Sequence, residues 1–163
     1  MSGLSILQRS VEIDAPMGDV FAFHLDTRNA ALISPEGTRI LIVEGAFPVV
    51  AGGLITMVMR QRPSPFAMTW RVRIEAVEPT TRIVDVAERS PFSQWRHEHL
   101  FAPLGVTRTL MTDRVTYRLP GGPLGAAADR LFVARQLARA FEERHRRTRD
   151  LLERRVQAAA LRG

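Results

Sequence analysis

Residues 93–119 read SQWRHEHLFAPLGVTRTLMTDRVTYRL, and the alternation of letters in this stretch decides what the chain builds. Trp95, His97, His99 and Phe101 alternate, so on a strand they share one face. Met111, Asp113, Val115 and Tyr117 do the same on a second strand, while Arg96, Glu98, Arg114, Thr116 and Arg118 take the solvent face. Pro103-Leu104-Gly105 supplies turn chemistry between them. A turn centred on Gly105 sets His97 opposite Asp113 and Trp95 opposite Val115. A slip of two residues sets His99 or Trp95 opposite Asp113 instead. In each register the aromatic inner face carries two imidazoles, a carboxylate and a phenol.

The hairpin before it follows the same logic. Met68, Trp70, Val72, Ile74 and Ala76 form an apolar face, with Arg71, Arg73 and Glu75 turned outward. A turn near Pro79 places Glu88 opposite Trp70 on the inner face and Arg73 opposite Asp85 on the outer one. Burying ionisable groups is costly unless they are paired or wetted. Two arrangements answer that cost. One is a cavity in which these groups meet ligand and water. The other is an internal network, His97 to Asp113 and Tyr117 to backbone. For the set as a whole the cavity is the expectation.

Working outward, residues 5–14 read as a first strand, and Asp14-Ala15-Pro16 opens a helix that runs to about Leu25, with Asp14 as its cap. Asp26-Thr27-Arg28-Asn29 starts a second short helix that ends before Pro35. Strands follow at 37–47, 53–62, 66–78, 82–89, 93–102 and 107–119, separated by Gly, Pro and Ser turns. Residues 40–59 carry a single charge, Glu44, but Gly45, Pro48, Gly52 and Gly53 make them two strands and a turn rather than a membrane span.

After Pro120-Gly121-Gly122-Pro123 a long helix is expected over 124–160. Its stripe is Leu124, Ala127, Leu131, Ala134, Ala138, Phe141, His145, Thr148 and Leu152, supported by the pairs Glu142–Arg146, Glu143–Arg147 and Asp150–Arg154. The fold class is therefore α+β: a curved antiparallel sheet of about seven strands, two short helices after the first strand, and a C-terminal helix across it.

The 163 residues suit one domain, expected over 1–163, large enough to bury roughly two-thirds of the unfolded surface. With no cysteine there is no disulfide scaffold, thiolate metal site or cysteine nucleophile. The first nine residues lack the apolar run of a signal peptide, so a cytoplasmic location is expected. The net charge is +6 and all 23 basic residues are arginine. From residue 124 onward ten arginines face five acids, +5, against +1 for the rest. Acidic neighbours four residues away and the scarcity of aromatics make this a solvated helix face, not a nucleic-acid site. Peripheral contact with an anionic membrane is left open.

The residues 90–101, SPFSQWRHEHLF, resemble a segment of the SRPBCC proteins, the polyketide cyclase/dehydrase family of the START and pollen-allergen-like superfamily. Residues 109–125, TLMTDRVTYRLPGGPLG, resemble that family's next strand and helix start, and Ala15-Pro16, Asp19-Val20-Phe21, Ile33-Ser34-Pro35 and Phe141-Glu142-Glu143-Arg144 fall in register. Ser90 stands where the family commonly has Gly. The resemblance implies a helix-grip fold around a hydrophobic cavity and, across members, binding of lipids, sterols, polyketides or isoprenoids, with some aromatase/cyclases.

The expectation is thus a binding protein for a small hydrophobic molecule, with no cofactor and no metal, as a monomer or homodimer. Its apolar wall would comprise Met68, Trp70, Trp95, Phe101, Met111, Val115, Leu131 and Phe141, whose methionines suit irregular ligands. Polar selectivity would come from Glu88, His97, His99, Asp113 and Tyr117. The alternative is a cyclase/dehydratase using His97 or His99 with Asp113 as base and Tyr117 to steady an enolate. A metal held by His97, His99 and Asp113 is a weaker third reading. His24 reads as a helix-end residue and His145 as a packing residue.

Overall fold

A computed structural model describes residues 4–162; residues 1–3 and 163 of the expected 1–163 domain, and the side chain of Val43, lie outside the described residues. The strands are β1 (Ser5–Ile13), β2 (Thr38–Glu44), β3 (Leu54–Gln61), β4 (Ala67–Glu78), β5 (Arg82–Arg89), β6 (Gln94–Pro103) and β7 (Thr109–Arg118). They form one antiparallel sheet in the order β1-β7-β6-β5-β4-β3-β2, so the first strand closes against the last. Helix α1 (Met17–Leu25), a 3₁₀ turn (Thr27–Asn29) and α2 (Ala30–Ile33) follow β1. After β7 come α3 (Gly122–Ala128), a π turn (Asp129–Val133) and α4 (Ala134–Ala160). This is the α+β helix-grip arrangement of a curved sheet and a long C-terminal helix. No helix among the described residues is long and apolar enough to cross a membrane.

The alternating burial of β6 and β7 follows directly from their sequence: Trp95, His97, His99 and Phe101 are buried, as are Met111, Asp113, Val115 and Tyr117. The register is the slipped one. His99 faces Asp113, His97 faces Val115 and Trp95 faces Tyr117. Pro103 pairs with Thr109, and Leu104 N–H reaches Arg108 O at 2.9 Å, so the loop is centred one residue beyond Gly105.

Between β4 and β5 the ladder shifts twice, at Arg71/Val72 and Ile74/Ala76. Each bulge leaves one residue unpaired and re-aims its neighbours. Asp85 consequently pairs with Ile74 rather than Arg73 and turns inward, while Glu88 turns outward. Glu88 forms ion pairs with Arg71 (3.3 Å) and Arg73, which corrects its expected place on the inner face.

The long helix is also not continuous. Its entry packs tightly: a Cβ on Gly125 would lie 2.1 Å from Pro120 O, so only glycine fits there. The π turn then inserts a residue into the helical count, turning the apolar stripe by about 100°. Asp129 is thereby buried, while Leu124 and Leu131, expected on the stripe, are exposed. From Phe141 onward the stripe is seated: Phe141, His145, Thr148 and Leu152 are all buried. Of the expected helical ion pairs Glu143–Arg147 forms, at 2.8 Å; Glu142 instead reaches Arg9 and Asp150 reaches Arg149. Asp14 does not cap α1 but bridges to Arg108 at 3.0 Å.

Candidate functional site

The core is unevenly filled. Ile13, Val20, Phe21, Phe23, Ile33, Phe101, Met111 and Leu152 pack solidly where α1 and the second half of α4 cross the sheet. Beside them lies a hollow of about 430 Å³, bounded by β2–β6, the end of α1, the 26–35 segment and the first half of α4. Its wall includes Met57, Met59, Met68, Trp70, Trp95, Leu137 and Phe141, and its polar lining includes His24, Asp85, His97, His99 and Arg144. Trp70 and Trp95 meet edge to face at 5.1 Å. These are the only two tryptophans of the chain.

All four histidines of the chain meet around this end of the hollow, although they come from three elements. Helix α1 brings His24, β6 brings His97 and His99 on one face, and α4 brings His145 four residues past Phe141. Asp113 of β7 touches three of them. Its Oδ2 lies 2.7 Å from His145 Nε2. Its Oδ1 lies 2.6 Å from His99 Nδ1 and 3.1 Å from His97 Nε2, close approaches that are off the hydrogen-bond direction. An ionised carboxylate only accepts, so the proton between it and His145 belongs to Nε2. The opposite ring nitrogens of the same two β6 histidines point toward Asp85: His97 Nδ1 is 3.5 Å and His99 Nε2 3.9 Å from its Oδ2. His24 donates from Nδ1 to Val20 O at 2.7 Å, leaving its Nε2 buried without a partner.

Burial sets the electrostatics. It lowers His24 to about 3, with nearby His99 acting in the same direction, and it lowers His97 and His99 as well. Burial raises Asp85 to about 6, against the pull of His99 and Arg144. For Asp113 burial pushes upward, but His99, His97 and the bond from His145 outweigh it and hold the carboxyl well below its ordinary range. The outcome is one fixed carboxylate behind the imidazoles and one readily protonated carboxyl in front of them, a pairing suited to proton transfer.

Among the expected contact residues, Met68, Trp70, Trp95, His97, His99 and Phe141 line the hollow. Others lie elsewhere. Phe101 and Met111 belong to the solid core, and Val115 and Tyr117 pack with Leu7, Trp95 and Phe141 behind the wall, where α4 runs against β1. Asp113 sits one layer behind, reaching the wall only through His97 and His99. Tyr117 O–H donates to Asp129 Oδ1 at 2.7 Å, not to backbone; burial and this bond raise it above the usual tyrosine range. Glu88 is on the outer face, and Leu131 is rotated outward by the π turn.

Sequence reasoning missed Asp85 and Arg144 as cavity residues and undervalued His24 and His145. Arg144 carried a usable signal, since it stands three residues after Phe141 on the same helix face. Asp85 carried none, because a bulge decides its direction.

One oxygen of Asp85 and one nitrogen each of His97 and His99 lie within 4.8 Å of one another, spacing that could hold a divalent cation. Asp113, the carboxylate expected in that role, touches the other side of the rings. Arg144 near the same cluster opposes a second positive charge.

The chain matches the family model described as "Polyketide cyclase / dehydrase and lipid transport" over residues 6–153. No curated protein matches it. Among solved structures it is similar to the Zhui aromatase/cyclase from Streptomyces sp. R1128, with TM-score 0.77 and 18% identity, covering 96% of this chain and 98% of that one. It is similar to the di-domain aromatase/cyclase StfQ of the steffimycin pathway, with TM-score 0.75 and 15% identity, covering 94% of this chain and 52% of that one. A Chromobacterium violaceum protein, CV1439, has TM-score 0.71 and 18% identity over 91% of this chain and 98% of its own. At these identities the likenesses speak for the fold. The family match, spanning nearly the whole chain, speaks for descent: this chain belongs to the polyketide cyclase/dehydrase and lipid transport family.

Proposed function

We propose that this protein binds a small, largely apolar molecule in the hollow between its sheet and α4. The carrying observation is the hollow itself, about 430 Å³ walled by aromatic rings and methionines and lying next to a fully packed core. Interiors ordinarily pack to the density of organic crystals, and a void forfeits dispersion contacts on every wall. A volume this large, with convergent polar groups at one end, is the usual form of a ligand site. Methionine thioethers adapt to varied ligand shapes. The test is native mass spectrometry after incubation with a lipid and polyketide extract. A retained small molecule is expected; protein that emerges bare from every extract contradicts the reading.

A second reading, cyclisation or dehydration of a polyketide-like substrate, is favoured by one observation: Asp85, His97 and His99 abut the hollow while Asp113 lies against both rings from behind. A base positioned in this way can take a proton from carbon next to a carbonyl. The aromatase/cyclase relatives point the same way. In this reading Tyr117 has no part, its hydroxyl being committed to Asp129. Turnover of a poly-β-ketone by the wild type, lost in His99→Gln, supports it; turnover unchanged in His97→Gln and His99→Gln rejects it.

A further inference from the structure

We propose that the cavity selects an apolar molecule bearing a carboxylate, received by Arg144. This rests on the binding reading above and narrows it to a ligand class. Arg144 is the only arginine among the residues lining the hollow. The neighbouring helix arginines Arg147 and Arg149 pair with Glu143 and Asp150. Among the described residues no carboxylate lies within ion-pair distance of Arg144, and its Nε is buried without a hydrogen-bond partner. Its guanidinium carbon stands 5.8 Å from the Phe141 ring centre, a weak cation–π contact.

An unpaired charge held against an apolar wall is costly, and the cost is removed when an opposite charge arrives. The acids nearby do not pair with it. Asp113 is shared by three imidazoles, and Asp85 lies between His97 and His99. A cation on the wall without a counter-ion calls for an anionic group on the ligand. The planar guanidinium fork matches a carboxylate with two parallel bonds, and one cation balances a monoanion rather than a dianionic phosphate.

The test uses decanoate and 1-decanol at pH 8, a pair that share their chain and differ in the head group. Binding is followed by calorimetry and by the fluorescence of Trp70 and Trp95. Decanoate is expected to bind at least tenfold more tightly than decanol to the wild type. In Arg144→Leu the preference should fall to within twofold, with decanol affinity unchanged or improved. Arg144→Lys, which keeps the charge and loses the fork, should retain part of the preference. Equal affinities in the wild type, or an undiminished preference in Arg144→Leu, overturn the assignment. If neither probe binds the wild type, the cavity reading fails and takes this inference with it.

Discussion

The same sheet and the same helix build two unlike interiors. Toward the end of α1 and the second half of α4, Ile13 and Met111 are wholly inaccessible and Phe21 meets Phe101 edge to face at 5.6 Å. Toward the first half of α4, Trp70, Trp95 and Phe141 stand around open space. Both regions obey the same two-residue strand alternation and the same helical stripe. The difference comes from what crosses above them. Helix α1 fills the first region, whereas Ala140, Leu137 and Val133 leave the second roofed but not filled. The histidine–aspartate cluster marks the boundary, where imidazoles buried on one side face the hollow on the other.

The boundary gives the largest expected effect. Asp113→Ala strands three imidazoles that share one carboxylate, and it should cost about 3–5 kcal/mol of unfolding free energy in urea titration. A loss below about 1 kcal/mol would mean the cluster is not held by Asp113. The two interiors themselves are separated by a pair of truncations. Met111→Ala empties a packed site and should cost about 2–5 kcal/mol, whereas Met57→Ala only widens an existing hollow and should cost about 1 kcal/mol or less. Equal costs would erase the distinction.

Acid should act on the same boundary. His24, His97 and His99 have folded pKa values below the unfolded 6.5, so as pH falls below about 6.5 the unfolded chain takes up protons first. The stability these histidines contribute is present above that pH and is lost on acidification, for His24 down toward about 3. Asp85, raised to about 6, has the opposite sign and offsets part of the loss. In chelator-treated protein the urea midpoint should therefore be lower at pH 5 than at pH 7.5; a higher midpoint at pH 5 contradicts the burial of neutral imidazoles. The smallest effects belong outside both interiors. Leu131→Ala and Glu88→Gln should each change stability by no more than about 0.5 kcal/mol and leave ligand affinity unaltered.

Much of this was legible in the letters. The alternation at 93–119 announces which side chains face inward, and the turns mark out the strands along the chain, though not the pairing of β1 with β7. What periodicity does not carry is a count of extra residues. The loop at 104–108 shifts His99 onto Asp113, the β4–β5 bulges exchange Asp85 for Glu88, and the π turn removes Leu131 from the stripe. The two bulges and the π turn each insert a residue into an otherwise regular pattern, and the loop moves the centre of its hairpin by one residue. The hollow was legible only as a cost, in polar residues where apolar ones would pack; its walls depend on how α4 lies over the sheet, which no local pattern specifies.

If the unfilled region holds a molecule, a ring placed there from α4 must expel it, and Ala140→Phe puts such a ring into that space. Calorimetry with decanoate and decanol on the wild type and this variant should show affinity falling at least tenfold for both probes while the melting temperature holds or rises. Undiminished binding in the filled variant would contradict the account.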